Sequence, residues 1–232
     1  MLVYGKNVAK ELLKKDNLIK KIYLYKDFDD KEILHNIKSK DIMTIYETKE
    51  KVDKLVSTNS QGIVLDIFEY HFKSFDDVLE SDKASFIVVL DHIEDSHNFG
   101  AIIRTCECAG VDYIIIPNKR IAAVNATVMK TSAGALINTK ICEVANLRSS
   151  LQKLKKKGFW IIGTDAFGTP YEKIDYKGKT VLVIGSEGKG LKNIIREECD
   201  FIASLPLNGQ INSLNASVAA GIMIYEVLKT KD

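Results

Sequence analysis

Three stretches of the chain carry residue types that could do chemistry. Leu90 to Thr105 reads LDHIEDSHNFGAIIRT and sets Asp91, His92, Glu94, Asp95 and His97 ahead of Asn98 and Arg104. Val181 to Leu191 reads VLVIGSEGKGL, with Glu187 among glycines at 185, 188 and 190. Leu205 to Tyr225 reads LPLNGQINSLNASVAAGIMIY, in which Asn208, Gln210, Asn212, Ser213, Asn215 and Ser217 crowd the start of an apolar helix. Capping a helix takes one Ser, Thr, Asn or Asp side chain, so the third stretch holds a surplus of hydrogen-bonding groups. It reads either as an N-cap with a polar turn or as a loop that binds a ligand.

The first stretch has the donors of a divalent metal site but no ligand spacing that supports one, and acidic loops commonly face water. Arg104 stands among Phe99, Ala101, Ile102 and Ile103. A guanidinium there needs an acceptor, either a structural salt bridge or a phosphate or sugar held by its fork. The glycines of the second stretch let a ligand approach the backbone after a strand. Their order is not the dinucleotide fingerprint, and no Ser or Thr follows Lys189 as a phosphate-binding loop requires. Glu187 would repel phosphate and suits a cationic or hydroxyl-rich ligand, and adenosyl sulfonium compounds are both.

These loops need a frame. From residue 85 onward, apolar strands alternate with helices: Phe86–Leu90, Tyr113–Ile116, Lys140–Val144, Phe159–Thr164, Val181–Gly185 and Phe201–Leu205. Helices are expected near Asn98–Ala109, Val124–Thr131, Asn146–Lys157 and Leu191–Glu198, with Gly110 and Gly158 as C-terminal glycines. Unbroken apolar strands separated by helices indicate a parallel sheet covered on both faces, an α/β fold. Ligands in such sheets bind beyond the strand C-termini, which is where all three stretches fall. Residues 1–70 read as small α/β units, with helices near Gly5–Lys15 and Asp30–Ser39, strands at Ile22–Tyr25, Ile42–Tyr46 and Gly62–Phe68, and a helix capped by Thr48. Residues 71–84 read as a linker with a short turn started by Ser74, and residues 85–232 as the second domain.

The chain of 232 residues has a net charge of +2, and residues 1–72 hold 13 Lys against 12 acidic residues, so charge alone does not suggest a polyanion partner. No apolar run reaches membrane-spanning length, and the N-terminal residues lack a signal-peptide core. The four cysteines have neither zinc nor disulfide spacing and read as buried, reduced thiols of a cytoplasmic protein.

Taken together, the loops resemble the SpoU (TrmH) family of RNA 2′-O-ribose methyltransferases, of the SPOUT class. Asn98, Gly100 and Arg104 match its first motif; Glu187, Gly188 and Gly190 its second; Leu205–Leu207, Ser213–Asn215 and Ser217 its third. VNATVMKTSAGA (Val124–Ala135) resembles the branch that methylates guanosine in large-subunit (23S) ribosomal RNA. Residues 1–70, with YGKNVAKELL and SQGIVLDI, resemble that branch's RNA-binding domain, similar in fold to ribosomal protein L30e. The resemblance implies a SPOUT-type parallel sheet with a C-terminal trefoil knot, a homodimer, and S-adenosylmethionine as cofactor. It implies cofactor contacts at Thr164, Gly185, Leu205 and Leu214, and a reacting site of Asn98, Arg104, Glu187, Ser213 and Asn215. A tRNA ribose methyltransferase of the same family and a non-catalytic RNA-binding or ribosome assembly protein are the alternatives. A nucleotide-dependent dehydrogenase is disfavoured by its misplaced glycines.

Overall fold

The computed structural model describes residues 1–186, 190–211 and 213–231. Contacts divide the chain into two compact units: Met1–His71 with Ala123–Asn138, and Phe72–Ala122 with Thr139–Asp232.

The first unit opens with β1 (Leu2–Tyr4), α1 (Lys6–Leu13), β2 (Ile19–Tyr25), α2 (Lys31–Ser39), β3 (Thr44–Glu47), α3 (Lys49–Lys54) and β4 (Ile63–Ile67). The strands form one mixed sheet in the order β1-β4-β2-β3, with β2 and β3 parallel and the other pairs antiparallel. Asp30 caps α2 by accepting from the Ile33 N–H. Thr48 precedes α3 as expected but makes no side-chain cap bond.

The second unit contains α4 (Phe75–Leu79), β5 (Phe86–Leu90), α5 (Ser96–Cys108) and β6 (Tyr113–Pro117). α6 (Ala126–Thr131) then belongs to the first unit, where it packs on β1. The second unit resumes with β7 (Ile141–Val144), α7 (Leu147–Lys156), β8 (Trp160–Pro170), β9 (Thr180–Ile184), α8 (Asn193–Arg196), β10 (Phe201–Ser204) and α9 (Ala216–Leu228). Contacts group two segments differently from the boundaries expected from sequence. The segment 123–138 leaves the expected second domain for the first unit, because Lys130 lies over the Tyr4 ring and Gly134 is seated against Glu11 and Val8. Most of the expected linker is built into the second unit, where Val78 is buried and Ser74 and Asp77 close a reciprocal capping box.

Six strands form a parallel sheet in the order β10-β8-β9-β5-β6-β7. Successive side chains point to opposite faces, and β5, β6 and β9 are buried at every position, so both faces are covered. Ile87, Val89, Ile115, Val181 and Val183 share one core with Leu151 and Leu154 of α7. α5 and α9 pack on each other, and α9 rests on β9. Each fully buried Leu or Ile contributes roughly 1.5–3 kcal/mol of transfer free energy, which makes this sheet a rigid platform for its loops.

Two elements differ from expectation in ways that shape the site. β8 continues past Thr164 because its end pairs with β10 a second time. Gly163 pairs with Ile202 and Thr169 with Ala203, so Thr164–Gly168 bulge out between consecutive partners. α8 begins at Asn193 instead of Leu191, because Lys192 holds an extended conformation (φ −63°, ψ 143°) as its N-cap.

Candidate active site: two adjoining cavities at the strand ends

The three polar stretches meet beyond the C-terminal ends of β5, β9 and β10. Asp95 caps α5 by accepting from the Asn98 N–H at 2.8 Å, so one carboxylate of the first stretch is structural. Asp91 is only 1 % exposed, and its Oδ1 takes a short hydrogen bond from His92 Nδ1. Among the described residues, no group of three or more His, Cys, Asp or Glu could hold a metal ion.

A first cavity of ≈ 390 Å³ is walled by β8 and by the ends of β9 and β10. Thr164, Gly185, Leu205, Ser213 and Leu214 line it, along with Met223 of α9. The β8 bulge supplies a further wall, including Phe167, which is 81 % exposed. Asp165 is the charged residue of this lining among the described residues, and Arg196 neutralises it through a 2.7 Å bond. Gly185 is required by close approach: a Cβ there would lie 2.5 Å from the Gly190 carbonyl carbon and 2.8 Å from the Leu191 nitrogen. The backbone of the second stretch therefore folds directly over the end of β9, with Ser186 and Gly190 exchanging backbone bonds.

A second cavity of ≈ 380 Å³ is lined by His92, Glu94, Asn98, Arg120, Ser186 and Lys192, among others. Ser186 lines both cavities, so they adjoin. The Asn215 Nδ2 donates to Asn98 Oδ1 at 2.9 Å, tying the start of α9 to the start of α5. Asn215 is also the α9 cap, accepting from the N–H groups of Ser217 and Val218. The cap reading and the ligand-loop reading of this stretch thus meet in one side chain.

Of the nine site residues named from sequence, the cavities bring together Asn98, Ser213, Thr164, Gly185, Leu205 and Leu214, with Asn215 bridging. Glu187 lies outside the described residues. Arg104 departs from the reading that it is buried among apolar neighbours. It is exposed on α5 while Phe99, Ile102, Ile103 and Cys106 turn inward, and it lines neither cavity. Its exposure removes the desolvation cost that a salt bridge would have offset. Arg120, Ser186, Lys192, Asp165 and Phe167 were not singled out as site residues from sequence, and His92 was weighed there only as a metal donor. Phe167, a large aromatic in a Gly- and Asp-rich turn, carried the one usable signal.

Thiol chemistry is not offered here. Burial pushes the Cys142 thiol up to about 11 and the Cys199 thiol up to about 12, and raises Cys106 further, which leaves all three protonated near neutrality. Cys108, expected to be buried, is exposed at the end of α5.

Comparison with known proteins places this geometry. Residues 85–225 match the model of the SpoU rRNA methylase family, and residues 2–73 match that of the RNA 2′-O ribose methyltransferase substrate-binding domain. YacO of Bacillus subtilis, assigned to the TrmH family of tRNA/rRNA methyltransferases, is 35 % identical over 99 % of this chain and 96 % of its own. The SpoU methyltransferase AviRb from Streptomyces viridochromogenes, solved with AdoMet, superposes with a TM-score of 0.84 at 21 % identity, covering 100 % of this chain and 90 % of that one. The TrmH/SpoU tRNA-modifying enzyme of A. aeolicus gives a TM-score of 0.60 at 33 % identity, covering 68 % of this chain and 80 % of that one. The chain belongs to the SpoU rRNA methylase family and is an RNA methyltransferase of the SpoU/TrmH type.

Proposed function

We propose that the protein transfers the methyl group of S-adenosylmethionine to the 2′ oxygen of a guanosine ribose in large-subunit (23S) ribosomal RNA. The observation that carries this reading is the pair of cavities adjoining at Ser186 and linked by the Asn215–Asn98 bond. One is suited to the methyl donor and the other opens beside it for the acceptor.

The first cavity fits the donor on its own chemistry. Its lining combines backbone at Gly185, Gly190, Leu205 and Leu214 with apolar Ile184 and Met223, and no Lys or Arg lines it among the described residues. A neutral adenosine and a cationic sulfonium suit such a surface; a nucleotide polyphosphate does not. Thr164, Gly185, Leu205 and Leu214 would hold the cofactor, which supplies an electrophilic methyl group when bound.

The chain's own residues position the acceptor. Asn98, fixed by the Asp95 cap and by Asn215, would hydrogen-bond the ribose, and Ser213 would do so from the other wall. Holding the reacting atoms in line supplies about 7–11 kcal/mol in well-oriented systems. Arg104 would stabilise developing charge on the 2′ oxygen as the hydroxyl loses its proton, and Glu187 would anchor the same network. The proton would leave through water, because a guanidinium stays protonated at ordinary pH. We take the C-terminal chain, from Leu205 into α9, to thread the trefoil knot of the SPOUT class, and the molecule to act as a homodimer.

The first unit supports an RNA substrate, since its sequence matches a substrate-binding family. A tRNA target is the second reading, favoured by the 33 % identity to the A. aeolicus tRNA-modifying enzyme. Mapping 2′-O-methyl marks in ribosomal and transfer RNA from a strain lacking the gene separates the two. A mark lost from 23S RNA is the expected result; a change confined to tRNA would overturn the substrate assignment.

A further inference from the structure

The second cavity contains an arrangement that the methyl-transfer reading leaves unused. His92 stands at φ +65°, a left-handed conformation that costs a residue with a Cβ on the order of 1–3 kcal/mol. Its imidazole meets both neighbours: Nδ1 faces the buried Asp91 carboxylate, and Lys192 Nζ lies 2.8 Å from Nε2 and 3.4 Å from Nδ1. Lys192 belongs to the segment that departs from helix to an extended cap, which is what brings it to His92. Arg120 reaches the same cavity from the turn after β6, whose Ala122 N–H donates to the Ile93 carbonyl at 2.9 Å. Two loops and a helix cap thus converge two cations on one space.

The carboxylates around that space are largely committed. Asp91 is taken by His92, and Asp95 caps α5 and lies 3.9 Å from His97. Among the described residues, Glu94 remains, exposed in the lining. Lys192 and Arg120 therefore outweigh it.

RNA geometry says what two cations beside a reacting 2′ oxygen would meet. The carbon bearing that oxygen adjoins the carbon bearing the 3′ phosphodiester, so a site that receives one must receive the other. Among the described residues lining the second cavity, the cations are Arg120 and Lys192.

We infer that Lys192 and Arg120 clamp the phosphodiester on the 3′ side of the methylated ribose, with His92 as the positioning residue that presents Lys192. This rests on the ribose-methylation reading. Lys192 acts as a point charge, whereas Arg120 can bind two phosphate oxygens at once.

The test is single-turnover methyl transfer onto the mapped RNA target over a series of salt concentrations, using the full chain. Lys192→Ala and Arg120→Ala should each raise the half-saturating RNA concentration about tenfold and make its salt dependence shallower by about one unit. S-adenosylmethionine binding by calorimetry should be unchanged, and Lys192→Arg should restore most of the loss. His92→Gln should weaken RNA binding in wild-type protein and have no further effect in Lys192→Ala. An uncharged methylphosphonate at the 3′ position probes the intact enzyme directly: it should impair wild-type protein and leave Lys192→Ala little affected. Wild-type salt dependence in both alanine variants, or equal sensitivity of wild type and Lys192→Ala to the methylphosphonate, would overturn the clamp. A wild-type protein that methylates no RNA ribose would remove both readings, whereas methylation with unaffected variants removes this one alone.

Discussion

Asn215 accepts from two backbone N–H groups with Oδ1 and donates to Asn98 with Nδ2, so its two functions can be separated by substitution. Serine is as good an N-cap as asparagine but is too short to reach Asn98. Asn215→Ser should keep the melting temperature within about 2 °C of wild type, because the cap is retained. Methyl transfer should fall at least tenfold, about 1.4 kcal/mol in the barrier, because Asn98 loses its brace. A variant with wild-type rate would show that the Asn215–Asn98 bond does not organise the acceptor side. Ser213 and Asn215 were legible in sequence because the polar side chains around them exceed what a cap can use, and Asn98 because it matches the family's first motif. His92 and Lys192 were not legible in the same way, since neither type nor spacing reveals that residues 100 positions apart come within hydrogen-bond distance.

At the scale of elements, α9 exposes Val218, Ile222 and Tyr225 at 50, 39 and 48 %, while Ala220, Met223, Ile224 and Val227 are buried. The exposed residues recur at intervals of four and three and therefore form one stripe along the helix. An apolar stripe beside an inward face that is also apolar suits contact with a second copy of the chain. Val218→Glu combined with Ile222→Glu should shift the protein from dimer to monomer in light scattering while leaving its circular dichroism intact; a dimer that persists would remove α9 from the interface. Ala219, Ala220 and Gly221 make α9 slender enough for close packing. The bulge in β8 did not announce itself, because Thr164–Gly168 lies inside an element whose two halves pair with β10 in different registers. Turn-forming residues in that segment read as the end of a strand, although pairing resumes at Thr169. The start of α8 was misplaced for a similar reason: Leu191 and Lys192 suit a helix by propensity, but the fold of Gly190 over Gly185 holds them out of it.

Across the whole molecule, apolar strands without alternation were enough to indicate a parallel sheet buried on both faces, and the sheet's polarity places the three loops at one end. What periodicity could not supply was the allocation of 123–138 to the first unit, which depends on contacts with Tyr4, Val8 and Glu11 that are far away in sequence. Family membership fixes the reaction class, and the proposed function assigns the two adjoining cavities to donor and acceptor. The central claim is that the acceptor atom is the ribose 2′ oxygen. Its most direct measurement uses purified full-length protein, S-adenosylmethionine with an isotopically labelled methyl group, and the RNA target, followed by nuclease digestion and mass spectrometry of the nucleosides. The account predicts label on a single 2′-O-methylated nucleoside, and complete loss of transfer when that position is replaced by a 2′-deoxynucleotide. Label on a base, or undiminished transfer to the 2′-deoxy substrate, would contradict it.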